Sequence, residues 1–188
     1  MKKLFVITMA LVAFNISAQN ITYGAKGGLN FATMVGEEAE DIDKRTSFHL
    51  GITAEIEISD TFSIQPELLY SGQGFKTDVD DESDTVSVDY ITLPVMAKFY
   101  VGNDFSLEAG PQIGFLVSAE SDGEDVKEFL KSTDFAINLG AGYKINSKMN
   151  INLRYSMGLT DVLKGEGEDD EAADFKHSVF LLSIGYNF

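Results

Sequence analysis

Carboxylates are the first side chains in this sequence that could carry out acid–base chemistry. Glu55 and Glu57 lie two residues apart in "FHLGITAEIEI" (residues 48–58). Successive side chains of a β-strand point to opposite faces, so these two carboxylates share one side of one strand. That placement favours structural salt bridges over a general acid and base that work as partners.

Histidines next to serines suggest a second chemistry, that of a serine hydrolase, in which a histidine activates the serine hydroxyl. The sequence has only two histidines, and each lies within two residues of a serine: His49 is near Ser47 and His177 is beside Ser178. Because such pairs are generic, a hydrolase at the loop end of the fold is a third alternative. We expect no enzymatic activity and no cofactor.

An acidic segment, "DVDDESD" from Asp78 to Asp84, resembles an oxygen-rich cation loop. The Asp-x-Asp-x-Asp-Gly spacing with a distal Glu of a calcium loop is not met. We therefore expect at most weak binding of divalent cations in such loops, for example to bridge lipopolysaccharide phosphates. The alternative is a hydrated fringe of mutually repelling charges.

Glycine runs could hold phosphate groups if they opened helices. The runs "GAKGG" (24–28) and "GAGYK" (140–144) lie inside strand-like segments instead. They therefore predict space for bulky neighbouring side chains in a narrow interior.

Composition excludes several classes of function. The 188 residues include no Cys and no Trp, and the formal net charge is −16. Binding to nucleic acid requires a basic face, so nucleic acid is excluded as a partner. Thiol chemistry and disulfides are excluded as well, and the length suits a single domain.

The first residues, "MKKLFVITMALVAFNISAQN", have the pattern of a secretory signal peptide. Two lysines precede a short apolar stretch, and the small residues Ser17 and Ala18 follow it. The apolar stretch is too short to cross a bilayer as a helix. We predict a signal peptide over 1–18 and one barrel domain over 19–188.

The rest of the chain alternates apolar and polar residues with a period of two, which is typical of strands. Eight such segments occur, most of them longer than the strands of soluble proteins. Their predicted spans are 21–33, 47–59, 61–75, 87–101, 105–118, 133–145, 149–160 and 177–188.

Short and long connections alternate between these segments. Turn residues fill the short ones at 59–60, 102–104 and 146–148, whereas long connections are expected at 34–46, 76–86, 119–132 and 161–176. This rhythm predicts an all-β fold, an eight-stranded antiparallel up-and-down transmembrane β-barrel. The three prolines, Pro66, Pro94 and Pro111, predict bulges or gaps in strand pairing, and a slip in alternation near Leu69 and Phe75 suggests a bulge in the third strand.

The distribution of charges favours a membrane barrel over a soluble one of lipocalin type. The polar faces collect four acids and four bases, a balance expected of charges packed inside a narrow barrel. Aromatic residues gather at both ends of the apolar faces, as in the girdles of membrane barrels. The predicted lumen charges are Lys26, Glu55, Glu57, Glu67, Lys98, Glu108, Lys144 and Arg154.

Several stretches resemble the PorT-like outer-membrane β-barrels of Bacteroidetes, often labelled "porin family protein". They are "QPELLYSGQGF", "DYITLPVMAKFY", "AGPQIGFLVSA", "DFAINLGAGYKI" and "INLRYSMGLTDV". The resemblance runs from about residue 21 to Phe188 and implies an eight-stranded outer-membrane barrel. Some members are tied to type IX secretion, but no motif in this sequence carries that role over residue by residue.

These features together predict a small, non-enzymatic outer-membrane protein with a lumen filled by side chains. The alternative is a narrow channel for small solutes or cations. We expect a monomer with both termini in the periplasm and acidic loops outside the cell. Expected partners are outer-membrane lipid, lipopolysaccharide and the barrel-assembly machinery.

The last segment, "SVFLLSIGYNF", continues its apolar alternation to the final residue. It resembles the terminal aromatic signal read by outer-membrane assembly machinery, and it must pair with the first strand to close the barrel. The predicted signal comprises Phe180, Leu182, Ile184, Tyr186 and Phe188.

Deletion of Phe188 should therefore reduce assembly into the outer membrane before it alters any activity. The measurement is the yield of folded protein in outer-membrane fractions, with the full-length chain expressed in parallel. A normal yield of the deletion variant would contradict this role.

Overall fold

A computed structural model describes residues 20–36, 42–79, 82–121, 123–162 and 175–188. The predicted signal peptide, residues 1–18, lies outside these residues. Within them, no helix is long and apolar enough to cross a membrane.

Long antiparallel strands make up nearly all of the described chain. In chain order they are β1 (Ile21–Val35), β2 (Ile42–Ser59), β3 (Phe62–Val79), β4 (Glu82–Val101), β5 (Phe105–Ser121), the two-residue β6 (Glu124–Asp125), β7 (Thr133–Lys144), β8 (Met149–Gly158) and β9 (Lys176–Asn187). One turn of 3-10 helix, Lys127–Phe129, follows β6.

The eight long strands form a closed barrel. Each pairs with its neighbours in the order β4-β3-β2-β1-β9-β8-β7-β5, and β4 pairs with β5 to complete the ring. All of these pairings are antiparallel. The predicted fold class is confirmed. We call the end with the short connections the turn end and the opposite end the loop end.

The three short turns lie where the alternation predicts them, but strands occupy much of the expected long connections. β3 and β4 remain paired up to Val79 and Glu82, so the predicted connection 76–86 is mostly strand. β2 begins at Ile42 rather than near 47, and β6 pairs with the end of β5. Runs of polar residues in these parts of the sequence, such as 76–78 and 82–85, hide the alternation that marks the rest of each strand.

The prolines produce gaps in the strand ladders, as their missing N–H predicts. Pairing is interrupted beside Pro66 between β2 and β3, beside Pro94 between β3 and β4, and beside Pro111 between β4 and β5. The constant registers on both sides of the gap at Pro94 show that no extra residue is inserted there.

The bulge expected in β3 is instead in its neighbour. The β3–β4 register is constant along β3, whereas the β2–β3 register shifts by one residue between Lys44 and His49. Opposite this shift Gly74 has a φ of +120°, and a Cβ on it would overlap the Val86 carbonyl oxygen. Leu69 departs from the apolar pattern because its side chain faces the interior, where it is almost fully buried.

The barrel closes where the last strand meets the first. β9 pairs with β1 over twelve residues, from Gly24–Asn187 to Val35–Lys176. The backbone N–H of Phe188 donates to the Tyr23 carbonyl at 2.9 Å, so pairing extends to the final residue. A closed ring leaves none of the long strands with an open edge.

Gly28 lies on this seam, paired with His49 of β2 and Ser183 of β9. A Cβ on Gly28 would overlap the Leu182 carbonyl oxygen, whereas one on the adjacent Gly27 would lie 3.2 Å from the Leu50 side chain. A backbone carbonyl cannot move aside as easily as the tip of a side chain. Packing therefore excludes a side chain at residue 28 but tolerates a methyl group at residue 27.

We expect Gly28→Ala to lower the free energy of unfolding by about 1–3 kcal/mol, the usual cost of overpacking. Gly27→Ala, one residue away, is the matched control and should change stability by less than about 1 kcal/mol. Urea unfolding in lipid bilayers, followed by the gel mobility of the folded barrel, measures both. Equal losses in the two variants would refute the packing argument.

Candidate functional site

An ion pair between Arg154 and Glu67 crosses the centre of the barrel. Arg154 Nη1 donates to Glu67 Oε2 at 2.8 Å, and Nη2 donates to Oε1 at 2.9 Å. Four pairing steps separate β8 from β3 in either direction around the ring, so the two residues come from opposite walls. Both side chains are almost completely buried. A two-point guanidinium–carboxylate contact is the most directional ion pair available to a protein.

Further charges extend this pair into a network. Lys26 donates to Glu67 at 2.8 Å, and Arg154 also reaches Glu108 at 3.5 Å. Lys98 donates to Glu55 at 3.1 Å and lies 3.8 Å from Glu108. We call these six residues the lumen network: Lys26, Glu55, Glu67, Lys98, Glu108 and Arg154.

Three acids and three bases make the lumen network neutral. Neutrality is required because burying an unpaired charge away from water raises the free energy of the folded state by a large amount. Neutral polar side chains supply the remaining hydrogen bonds; Gln65, for example, donates to Glu67 at 2.7 Å and accepts from Lys98 at 3.0 Å. Five polar side chains that bind the network charges are absent from the predicted lumen set: Gln65, Ser63, Tyr100, Ser106 and Asn152. Each lies two residues, or a multiple of two, from a network charge on its own strand, so the period of two could have identified them.

Glycines on β7 and β9 provide the space that these charges occupy. Gly140 pairs with both Glu108 and Arg154, and Gly185 pairs with Lys26. A Cβ on Gly142 would lie 2.6 Å from the side chain of Asn152 and 2.8 Å from Glu108 Oε1. Long charged side chains on some strands therefore lie next to glycines on the neighbouring strands, where no side chain competes for the space.

Two predicted network residues, Glu57 and Lys144, lie outside it. Glu57 is exposed near the end of β2, and Lys144 is the last residue of β7. The Lys144 ammonium lies 4.1 Å from the centre of the Tyr100 ring. Both positions follow the predicted alternation, but they lie at the turn end, where the interior opens.

The two histidines do not pair with their sequence neighbours. His49 Nε2 lies 2.8 Å from Ser183 Oγ, and Nδ1 lies 2.7 Å from Asn30 Oδ1. This connectivity resembles that of a catalytic serine triad, yet all three side chains are almost completely buried. Burial closes Ser183 to a substrate, so the arrangement orients His49 within the interior. Ser47 is not part of it.

The second histidine, His177, points inward and contacts Tyr90, whose hydroxyl lies 3.1 Å from Nε2. Ser178 lies on the opposite face of the strand, 2.8 Å from the Tyr155 hydroxyl. His177 and Ser178 therefore do not form the pair that the hydrolase alternative would need, because neighbouring side chains of a strand diverge.

Apolar side chains fill the interior at the loop end. This loop-end cluster comprises Met34, Val88, Tyr90, Ala119, Leu130 and Val162. It is drawn from three strands and two connections, and it packs like the core of a soluble protein. The alternation predicts apolar residues on the outer face, so it does not reveal this cluster.

The outer surface is apolar, with aromatic residues towards both ends. On β9, Phe180 and Phe188 are exposed, whereas the alternate residues Leu181 and Ser183 are buried. All five residues of the predicted assembly signal lie on this outer face: Phe180, Leu182, Ile184, Tyr186 and Phe188.

A metal centre is not evident among the described residues, which contain no group of three or more His, Cys, Asp or Glu side chains placed to hold an ion. The side chains of the predicted cation loop, Asp78–Asp84, lie outside the residues that the structure describes.

Replacement of Glu67 by Gln should leave Arg154 and Lys26 without their main carboxylate partner. We expect a loss of about 3–5 kcal/mol in the free energy of unfolding, typical of breaking a buried ion pair. Glu120→Gln, at an exposed carboxylate of β5, is the control and should change stability by less than about 0.5 kcal/mol. Urea titration in lipid bilayers measures both, and a Glu67→Gln effect below about 1 kcal/mol would contradict the role of the pair.

Comparisons with known proteins agree with this architecture. Neisserial surface protein A has the same fold, with a TM-score of 0.60 at 12% identity over 90% of this chain and 99% of that chain. The attachment invasion locus protein Ail of Yersinia pestis, solved with the heparin analogue sucrose octasulfate, gives a TM-score of 0.54 at 15% identity over 90% and 99%. No curated protein sequence matches the chain.

The match to a family profile identifies the protein family, whereas the structural neighbours show only the fold. Residues 17–164, more than half of the chain, match the profile described as "Outer membrane protein beta-barrel domain". The closed eight-stranded ring with an apolar outer surface agrees with this description. The chain therefore belongs to the outer membrane protein beta-barrel domain family and is a small transmembrane β-barrel of the bacterial outer membrane.

Proposed function

We propose that this protein is a closed, non-enzymatic barrel that interacts with its surroundings through its loops. The observation that carries the proposal is the Arg154–Glu67 ion pair across the barrel interior. Eight strands enclose a space that side chains can fill. An ion or solute on its way through would have to separate this buried pair, at a cost of several kcal/mol.

The loop-end cluster supports the same proposal because it adds a second barrier. Val88, Ala119 and Leu130 are buried inside the barrel on the loop side of the lumen network. A hydrated ion would have to pass an apolar layer and then a layer of mutually neutralised charges. A wide water-filled pore has neither feature.

The interacting part, in this proposal, is the acidic loop end. It faces outside the cell, both termini face the periplasm, and the barrel is a monomer. Divalent cations bridge the loop carboxylates to lipopolysaccharide phosphates, which the high negative charge of the chain favours. The PorT-like resemblance belongs to this proposal too and suggests an accessory role in the envelope.

Planar-bilayer recordings test the closed lumen. We expect the purified protein to show no steady large conductance at moderate salt, because the lumen network and the loop-end cluster are both intact in the folded state. A sixteen-stranded porin inserted in the same bilayer is the positive control. Steady, large open-channel currents would refute the proposal and favour the channel alternative.

A serine-directed fluorophosphonate probe tests the hydrolase alternative on the same preparation. No labelling of the folded protein is expected, because Ser183 is buried beside His49. Labelling that is lost in Ser183→Ala and kept in Ser178→Ala would establish an activity and overturn the non-enzymatic role.

A further inference from the structure

Two adjacent cavities open at the turn end of the barrel, away from the loops. The larger has a volume of about 430 Å³ and the smaller about 150 Å³. Glu57 and Lys144 line both of them. These are the two charged residues that the alternation predicts inside the barrel but that the lumen network leaves out.

Both charges lack an ionic partner among the residues that the structure describes. The Glu57 carboxylate has no Lys, Arg or His nitrogen within 4.0 Å, and the Lys144 ammonium has no carboxylate oxygen within 4.0 Å. The charges of the lumen network are all paired. Glu57 and Lys144 thus remain available to a ligand in both cavities, and the exposed carboxylate of Asp60 lines the larger cavity only.

Lys144 is held in position from within the barrel. Its ammonium lies over the face of Tyr100, 4.1 Å from the ring centre, an arrangement favoured by the ring quadrupole. The Tyr100 hydroxyl donates to Glu55, which is also bound by Lys98. The lumen network therefore orients the ring on which the lysine rests.

Glu57 lies two residues beyond Glu55 on β2, on the same face of the strand. Its backbone pairs with Ser63 of β3, and its N–H donates to the Asn20 carbonyl at 3.1 Å. Both neighbours of this strand end are thus hydrogen-bonded to it, so the carboxylate projects from a fixed backbone.

Amide side chains complete the smaller cavity. Asn150 and Asn187 line it and can both donate and accept hydrogen bonds. The adjacent turn is ordered by Asn146, whose Oδ1 accepts from the backbone N–H groups of Lys148 and Met149 at 2.9 Å each. The cavity therefore has opposite charges, neutral polar groups and a rigid rim.

We propose that this site binds an amphoteric small molecule, one that carries both an ammonium and a carboxylate, such as a free amino acid or the charged end of a peptide. The ligand ammonium pairs with Glu57, and its carboxylate pairs with Lys144. A simple cation or anion would leave one of these two charges unpaired. The smaller cavity equals about five water volumes at ~30 Å³ each, which suits an amino-acid head group.

This site is independent of the role proposed for the loops, because it lies at the other end of the barrel. The source of the ligand rests on the proposed orientation, in which the turn end faces the periplasm, and two sources there offer the required chemistry. One is the pool of free amino acids, and the other is the peptide portion of the cell wall. The experiment below distinguishes them.

The binding test uses the folded protein in lipid nanodiscs and three probes of matched length. Diaminopimelate has two amino-acid ends, pimelate has only the carboxylates and cadaverine has only the amines. Calorimetric titration should give at least tenfold tighter binding of diaminopimelate than of either other probe. Equal affinities, or no binding of diaminopimelate at millimolar concentration, would overturn the proposal.

Variants assign the binding to the two charges. Glu57→Gln and Lys144→Gln should each weaken diaminopimelate binding at least tenfold, while the gel mobility of the folded barrel stays unchanged. Lys148→Gln is the matched control, because Lys148 lies on the adjacent turn but lines neither cavity. An unchanged affinity in the first two variants would place the ligand elsewhere and refute the site.

Sedimentation with purified peptidoglycan sacculi identifies the source. Co-sedimentation that is lost in Glu57→Gln indicates the cell-wall peptide, and its absence alongside retained diaminopimelate binding indicates a free amino acid. Open-channel currents would refute the closed barrel without affecting these titrations, so the two proposals can fail separately.

Discussion

The bidentate ion pair between Arg154 and Glu67 is the contact on which the interior of this barrel depends. It joins opposite walls, and neither charge can reach water while both remain in the lumen network. The cost of removing two charges from water is recovered only when geometry is good and every remaining donor and acceptor is satisfied. Lys26, Glu108 and Gln65 meet that requirement, each from a different position around the ring.

The same pair constrains the register of the strands. A slip of one residue would turn every lumen charge of a strand towards the outer surface and every aliphatic side chain inward. It would also separate the glycines of β7 from the long side chains that they accommodate. Gly140 next to Arg154, and Gly142 next to Asn152, fit only in the observed pairing. Strand register and charge pairing therefore stabilise each other.

The two ends of the interior differ because their surroundings differ. At the loop end the strands continue, and connections fold over them, so Val88 and Leu130 are buried as in a soluble core. At the turn end the strands stop within a few residues of the lumen network. Glu57 and Lys144 are left beside open cavities, where each charge remains accessible. The barrel thus has a sealed end and an open, polar end.

Much of the fold could be predicted because an apolar exterior and a polar interior impose a strict period of two. Residues 48–58 alternate apolar residues with polar residues or glycine without exception, which predicts a strand. Six of the eight predicted lumen charges lie in one network. The predictions fail where the contrast between an apolar exterior and a polar interior is weak. Leu69 and Tyr90 are buried in the interior although their side chains are largely apolar, and runs of polar residues occupy the ends of β2, β3 and β4. The bulge in β2 leaves no mark in the sequence, because it arises where β2 passes an unpaired part of β3 that contains Gly74.

The sequence by itself determined the all-β class, the eight strands, the short turns and which residues of each strand share a face, because all of these follow from local alternation and turn chemistry. Only the tertiary structure decided the partners. His49 meets Ser183 at a separation of 134 residues, and Arg154 meets Glu67 at a separation of 87. Such contacts depend on how far the strands are staggered when the ring closes. Stagger is a property of all eight strands together, so no local pattern encodes it.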